Sequence, residues 1–143
     1  KWPNDVLIGE KKVCGILAEM NAETDAINFV NLGIGINVNT PVSRLEGKTT
    51  SLKEKLGKEV SRKELFHSVV KEIIKQQTLL SQEDLLKEWK QLSTTLNQEV
   101  KIVMPGEEIR GRAIDIDTNG ALIIKRADGS LTRAFAGDCI HLL

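Results

Sequence analysis

The chain has 143 residues, 20 Lys+Arg against 20 Asp+Glu, and an apolar fraction of 41%. That suffices for one ordinary domain or two small ones, soluble and with a core. A formal net charge of zero gives no general electrostatic hold on nucleic acid, so no nucleic-acid partner is expected through this chain. Cys14 and Cys139 lie outside any C-x-x-C and have no His at metal-ligand spacing, so both read as small buried hydrophobes. No apolar run reaches the length of a membrane span and no signal peptide is visible, which makes a cytoplasmic location the expectation and a membrane partner unexpected.

The chain opens Lys1-Trp2-Pro3-Asn4-Asp5, in the middle of a motif, and reads as the C-terminal portion of a longer protein. Val6-Leu7-Ile8 is a short strand closed by the turn Gly9-Glu10-Lys11-Lys12. A second strand is expected over about 12–20, a polar turn over Asn21 to Asp25, and a third strand over about 26–38. In that third strand Val30, Leu32, Ile34, Ile36 and Val38 alternate onto one face, a row suited to a core. The other face carries Asn31, Gly33, Gly35, Asn37 and Asn39, a bare backbone floor with amides beyond it. Two glycines on one face suggest close approach by a ligand; a bulge or a helix crossing over them is the alternative.

Residues 40–60 are a connection, with a short helix from Ser51 to Leu56 ended by Gly57. Ser61 and Glu64 fit a capping box opening a helix over about 62–80, whose stripe is Phe66, Val69, Val70, Ile73, Ile74 and Leu80. A further helix from Ser81 to about 93 buries Leu85, Leu86, Trp89 and Leu92, with Trp89 as core. After Thr95 the period becomes two. Strands are expected around Val100 to Met104, Ile109 to Ile116, Ala121 to Lys125, Leu131 to Phe135 and Cys139 to Leu142, joined by Gly/Asp/Asn turns. Five short strands of this kind suggest a small SH3-like barrel, with the domain boundary near Thr95: 1–94 and 95–143.

Chemistry concentrates in the first forty residues. Lys1 and Lys12 are compact cations suited to carboxylate and phosphate oxygens. Asn4 and Asn37 offer donors and acceptors for a purine edge or a ureido ring. Asp5 suits Mg²⁺, which takes few protein carboxylates and keeps its waters. Each has an ordinary structural role as well: a solvated strand end for Lys12, a turn cap for Asp5. His67 and His141 have no evident partners and read as structural.

Together, Lys-Trp-Pro-Asn-Asp, Lys-Val-x-Gly-Ile-Leu-x-Glu and Gly-Ile-Gly-Ile-Asn-Val-Asn, at these spacings, closely resemble the biotin-protein ligases. Trp89-Lys90-Gln91-Leu92-Ser93, Gly111 to Asp117, Gly120-Ala121-Leu122 and Asp128-Gly129 extend the likeness to the C-terminus. The resemblance implies an α+β fold: part of a mixed β-sheet with packed helices, like a class II synthetase, then the SH3-like domain. It implies ATP-dependent formation of biotinyl-5′-AMP, with Mg²⁺, and transfer of biotin to a lysine of a biotin carboxyl carrier protein. Carried over by position, Lys12 matches the lysine at the biotin carboxyl and phosphate and is the single catalytic candidate. Gly15, Leu17, Gly33 and Gly35 match positions along biotin. Lys1, Asn4 and Asn37 match nucleotide contacts, and Asp5 the metal. The family's Gly/Arg-rich loop, which folds over biotin, is not in this sequence, so the segment alone is expected to be poorly active.

Two other readings stand beside it. A lipoate- or octanoyl-ligase-like acyltransferase shares the opening motif, whereas the glycine strand and the small barrel favour biotin. A non-catalytic biotin-sensing or interaction module is the other. Some family members also act as repressors through an N-terminal DNA-binding domain, and a homodimer is among the assemblies the family allows.

Overall fold

A computed structural model describes residues 1–23, 26–79 and 81–142. The expected turn at Thr24 and Asp25 and the stripe member Leu80 lie outside the described residues. The element order is β1 (Asp5–Ile8), β2 (Lys11–Glu23), β3 (Ala26–Ile36), a 3₁₀ turn (Val42–Arg44), α1 (Leu52–Leu56), α2 (Arg62–Leu79), α3 (Gln82–Leu92), β4 (Glu99–Met104), β5 (Glu107–Ile116), β6 (Leu122–Lys125), β7 (Leu131–Ala134) and β8 (Asp138–His141). No helix among the described residues is long and apolar enough to cross a membrane. The chain divides into two compact units, Asn4–Val69 and Lys1–Pro3 with Val70–Leu143, so the expected boundary near Thr95 falls inside the second of these.

In the Asn4–Val69 unit, β1, β2 and β3 pair antiparallel, and a parallel bridge from Lys12 to Thr49 adds the mixed pairing expected of this sheet. Gly9 turns the first hairpin at φ +63, a conformation glycine adopts without strain. β1 runs short because Pro3 and Asn4 precede it, whereas β2 and β3 pair from Cys14–Ile36 out to Glu23–Ala26. The apolar row of β3 is covered at one end only. Val30 is 54% exposed and Leu32 49%, and Met20, opposite Val30, is exposed as well, whereas Ile34, Ile36 and Val38 are half-buried. Among the described residues, burial in this sheet is confined to Val13 and Cys14, at the end where β1, β2 and the following connection converge.

That connection is more ordered than its composition suggests. Thr50 and Ser51 are fully buried. Ser51 caps α1 through the Glu54 N–H at 3.3 Å, and Gly57 ends the helix at φ +69. Asn39 clips the segment from the other side, donating to Val60 O at 2.9 Å and accepting from Val60 N at 3.0 Å. Ser61 opens α2 by accepting from Glu64 N at 3.3 Å.

In the other unit the strands form one antiparallel sheet of order β7-β6-β5-β4-β8. Among the described residues β7 and β8 are its two edges, and no pairing between them closes the sheet into a barrel. Period-two alternation points Val100, Ile102, Ile109, Leu122, Ile124, Ala134 and Cys139 to one side, where Leu86 and Trp89 of α3 pack on them. A register shift between Ala113 and Asp115 makes Ile114 a bulge, and this lets both Ala113 and Ile116 face inward.

Trp2 belongs to this core. It is 2% exposed, its N–H donates to Thr95 Oγ1 at 3.0 Å and its indole Nε1 donates to Gly120 O at 3.1 Å. Thr95 Oγ1 lies 3.1 Å from His141 Nε2. A hydroxyl that accepts from Trp2 keeps its proton to donate to a neutral imidazole. Burial, then the nearby Lys1 charge, hold His141 below its ordinary pKa of 6.5. The folded state therefore binds fewer protons than the unfolded chain in mildly acid solution. Stability from this group is complete above pH 6.5 and is lost as the pH falls from there through the lower folded-state pKa. Thermal unfolding between pH 8 and pH 5 is expected to show this loss, and His141→Gln a flatter profile; equal slopes would refute it.

Candidate active site

The face of the β1-β2-β3 sheet that carries the glycines is set by register and by one bulge. Asp5 pairs with Gly15, which pairs in turn with Gly35, and Leu17 pairs with Gly33. Residues directly opposite share a face, so Asp5, Gly15, Leu17, Gly33 and Gly35 line one surface. Strict alternation would send Lys12 to the opposite face, with Cys14 and Ile16. The β1–β2 register shifts between Val6 and Leu7, pairing Val6 with Cys14 and Leu7 with Lys12. Val13 is thus the extra residue of a bulge, and Lys12 turns onto the glycine face.

There Lys12 Nζ lies 2.7 Å from Asp5 Oδ1. Its side chain crosses Gly15: a Cβ at that position would sit 3.3 Å from both Lys12 Cε and Nζ. The pair is partly exposed, 42% and 22%, so its Coulomb energy is largely screened and contributes at most about 1 kcal/mol to stability. Its consequence is orientation: Asp5 holds a cation at one end of the floor.

The floor itself is open. A Cβ at Gly33 would meet only Leu17, at 3.6 Å, and one at Gly35 only Gly15 O, at 3.8 Å. No described helix crosses the glycines, which removes that alternative, and the space above them is available to a ligand. Asn4 donates from Nδ2 to Ile16 O at 2.9 Å, and its backbone carbonyl accepts from Ile16 N at 2.9 Å. Its amide is thereby tied to β2. Asn37 is held by its backbone, donating to Val13 O and accepting from Leu52 N, both at 2.9 Å, and its side chain makes no hydrogen bond among the described residues. The Asn39 amide, on the same alternation, is occupied by Val60. Lys1 falls in the unit that contains Val70–Leu143, not in the one that carries the floor. Burial pushes the Cys14 thiol up in pKa against the opposing pull of Lys12, which disfavours the thiolate.

Among the described residues no group of three or more His, Cys, Asp or Glu side chains converges. Asp5 spends Oδ1 on an ammonium, which suits a counter-ion better than a metal ligand. Sequence reasoning passed over the Lys48–Lys53 segment, which bonds to the backbone of both Lys12 and Asn37. Its only local signal was the Ser51 cap.

Residues 95–142 match the family model described as the biotin protein ligase C terminal domain. The bifunctional ligase/repressor BirA of Escherichia coli is 30% identical over 146 residues, covering 96% of this chain and 44% of that protein. The biotin–[acetyl-CoA-carboxylase] ligase of Mycobacterium tuberculosis is 32% identical over 145 residues, covering 99% and 52%. The chain thus spans about half the length of these relatives. Among solved structures, the apo biotin protein ligase of Aquifex aeolicus superposes with a TM-score of 0.77 at 30% identity, covering 99% of this chain and 64% of that one. The same protein in complex with biotin and ATP gives 0.71 at 28% identity, covering 97% and 59%. Motifs, fold and relatives agree along nearly the whole chain: it is similar throughout to a portion of the biotin protein ligases, and residues 95–142 carry their C-terminal domain.

Proposed function

We propose that this chain forms one wall of the site at which a biotin-protein ligase activates biotin with ATP and passes it to a lysine of a biotin carboxyl carrier protein. The observation that carries the reading is the Lys12 ammonium, oriented by Asp5 at the head of an uncovered glycine floor. A biotin carboxylate oxygen attacks the α-phosphorus of ATP, an acyl–phosphate bond forms and pyrophosphate leaves. Both partners are anions, and charge builds on the phosphoryl oxygens as they meet. A fixed cation at that point stabilises the transition state more than the separated ground states. In the second step the carrier lysine amine attacks the acyl carbon, the amide forms, AMP departs, and the amine proton is lost to solvent. Lys12 faces the acyl oxygen in that step too.

Gly15, Leu17, Gly33 and Gly35 lie along biotin in this reading, since a floor without side chains admits a flat bicycle close to the backbone. Asn37, with an unspent amide, faces the nucleotide, and Asn4 belongs to the same end; for Lys1 only the resemblance of the opening motif argues a nucleotide contact. Asp5 orients Lys12, and magnesium arrives on the nucleotide phosphates with its waters. Residues 95–142, within the unit that contains Val70–Leu143, serve the carrier protein in this reading. The relative crystallised with biotin and ATP supports this ligand pair.

The test is thermal unfolding of the full-length protein with MgATP plus biotin or lipoate, together with biotin-dependent exchange of labelled pyrophosphate into ATP. Biotin is expected to raise Tm and support exchange. A shift with lipoate alone would move the chain to the lipoate-ligase branch, and a biotin shift without exchange would make it a sensor.

A further inference from the structure

The connection between β3 and α1 holds the two ends of the proposed site. β3 stops pairing with β2 at Cys14–Ile36, and the Asn37 N–H makes the last bond, to Val13 O at 2.9 Å. From there the Lys48–Thr50 segment takes the place of β3 beside β2. Lys12 N donates to Lys48 O at 2.8 Å, and Thr50 N donates to Lys12 O at 2.8 Å, so both backbone groups of the bulge-turned lysine end on this segment. Three residues further, the same stretch grips the continuation of β3. Leu52 N donates to Asn37 O at 2.9 Å and Lys53 N to Val38 O at 2.8 Å. Between these two sets of bonds, Thr50 and Ser51 are fully buried.

From this geometry we infer that residues 48–53 are the positioning element of the activation step, fixing the backbones of Lys12 and Asn37 relative to each other. A bulge left to itself bends and twists its strand. Lys12 would then swing with it, and a displacement of about 1 Å at a reacting group costs up to about 100-fold in rate. The clamp removes that freedom using backbone bonds alone, so none of its side chains need touch a ligand. The inference rests on the ligase reading, because Lys12 and Asn37 matter only if they meet biotin and nucleotide.

Two proline variants separate the arms. Leu52 is the first residue of α1 and follows Ser51, which is extended at φ −124, ψ 162. Proline is accepted at such a position, so Leu52→Pro deletes the bond to Asn37 O and leaves the helix. Its KM for ATP is expected to rise about 10-fold with kcat within about 2-fold and Tm nearly unchanged. Thr50→Pro deletes the bond to Lys12 O and is expected to slow single-turnover adenylate formation about 10- to 100-fold. In a Lys12→Ala background Thr50→Pro should cost nothing more, because the clamp acts through that lysine. A merely structural segment would show the loss in full in both backgrounds. A folded Thr50→Pro protein with wild-type rate, or full additivity, overturns the inference. If Thr50→Pro does not fold, Leu52→Pro with unchanged KM overturns it. A wild type that forms no adenylate overturns the ligase reading itself and the inference with it.

Discussion

Lys12→Ala is expected to slow biotinyl-adenylate formation by about 10²–10³-fold, measured as pyrophosphate exchange in the full-length protein. The ammonium is the cation that the fold turns onto the glycine floor, by the bulge at Val13, and Asp5 fixes it at 2.7 Å. Its removal takes away charge compensation that is needed most when the carboxylate and the phosphate meet, so the loss belongs mainly in kcat. Stability should barely move. The ion pair is partly exposed, and such pairs contribute at most about 1 kcal/mol. Lys12→Arg keeps the charge, but its planar fork does not reproduce a compact ammonium lying across Gly15, so rescue should be partial. Exchange at the wild-type rate in Lys12→Ala would remove this residue from the chemistry.

Gly111→Ala is expected to destabilise the five-stranded sheet by more than about 3 kcal/mol, a fall in Tm of more than about 12 °C for a domain of this size. Gly111 sits in β5 at φ +156, and a Cβ there would lie 2.3 Å from Lys125 O and 2.9 Å from Ile124 Cγ2 on the adjacent strand. Backbone cannot step aside as a flexible side chain does, so the β5–β6 pairing must open or shift its register. Gly120→Ala is the control. Gly120 is at φ +82 with nothing within 4 Å of a Cβ, so only the conformational cost of about 1–2 kcal/mol applies. Equal effects of the two substitutions would show that close strand approach is not what keeps Gly111 a glycine.

The local rules of the chain were legible in its residues. Ser51, Ser61 and Ser81 each cap the helix they precede. Gly9 makes the hairpin turn between β1 and β2, and the alternation of Val100, Ile102 and Met104 makes β4. The three motifs of the first forty residues were sufficient to suggest the family. These features depend on neighbours one to four positions away, so polarity and turn residues encode them directly.

Other features are decided by bonds between distant residues, where several pairings compete for the same N–H and C=O groups. Nothing in Lys11-Lys12-Val13-Cys14 marks the bulge that brings Lys12 round to Asp5; it appears only when β1 chooses its register on β2. The Lys48–Lys53 segment reads as a connection running into a short helix, and its bonds to Lys12 and Asn37 exist only once β3 has ended. Trp2, in the opening motif, is held by Thr95 and Gly120, far along the chain, and packs with the five-stranded sheet. The row of Val30 and Leu32 was legible as apolar, yet whether an apolar row is covered depends on what packs against it, and here it faces outward. Residue order alone thus determined which strands and helices form and which side chains share their chemistry. Tertiary hydrogen bonding decided which of them meet, because a period-two pattern specifies a face only until a bulge or a register shift reverses it.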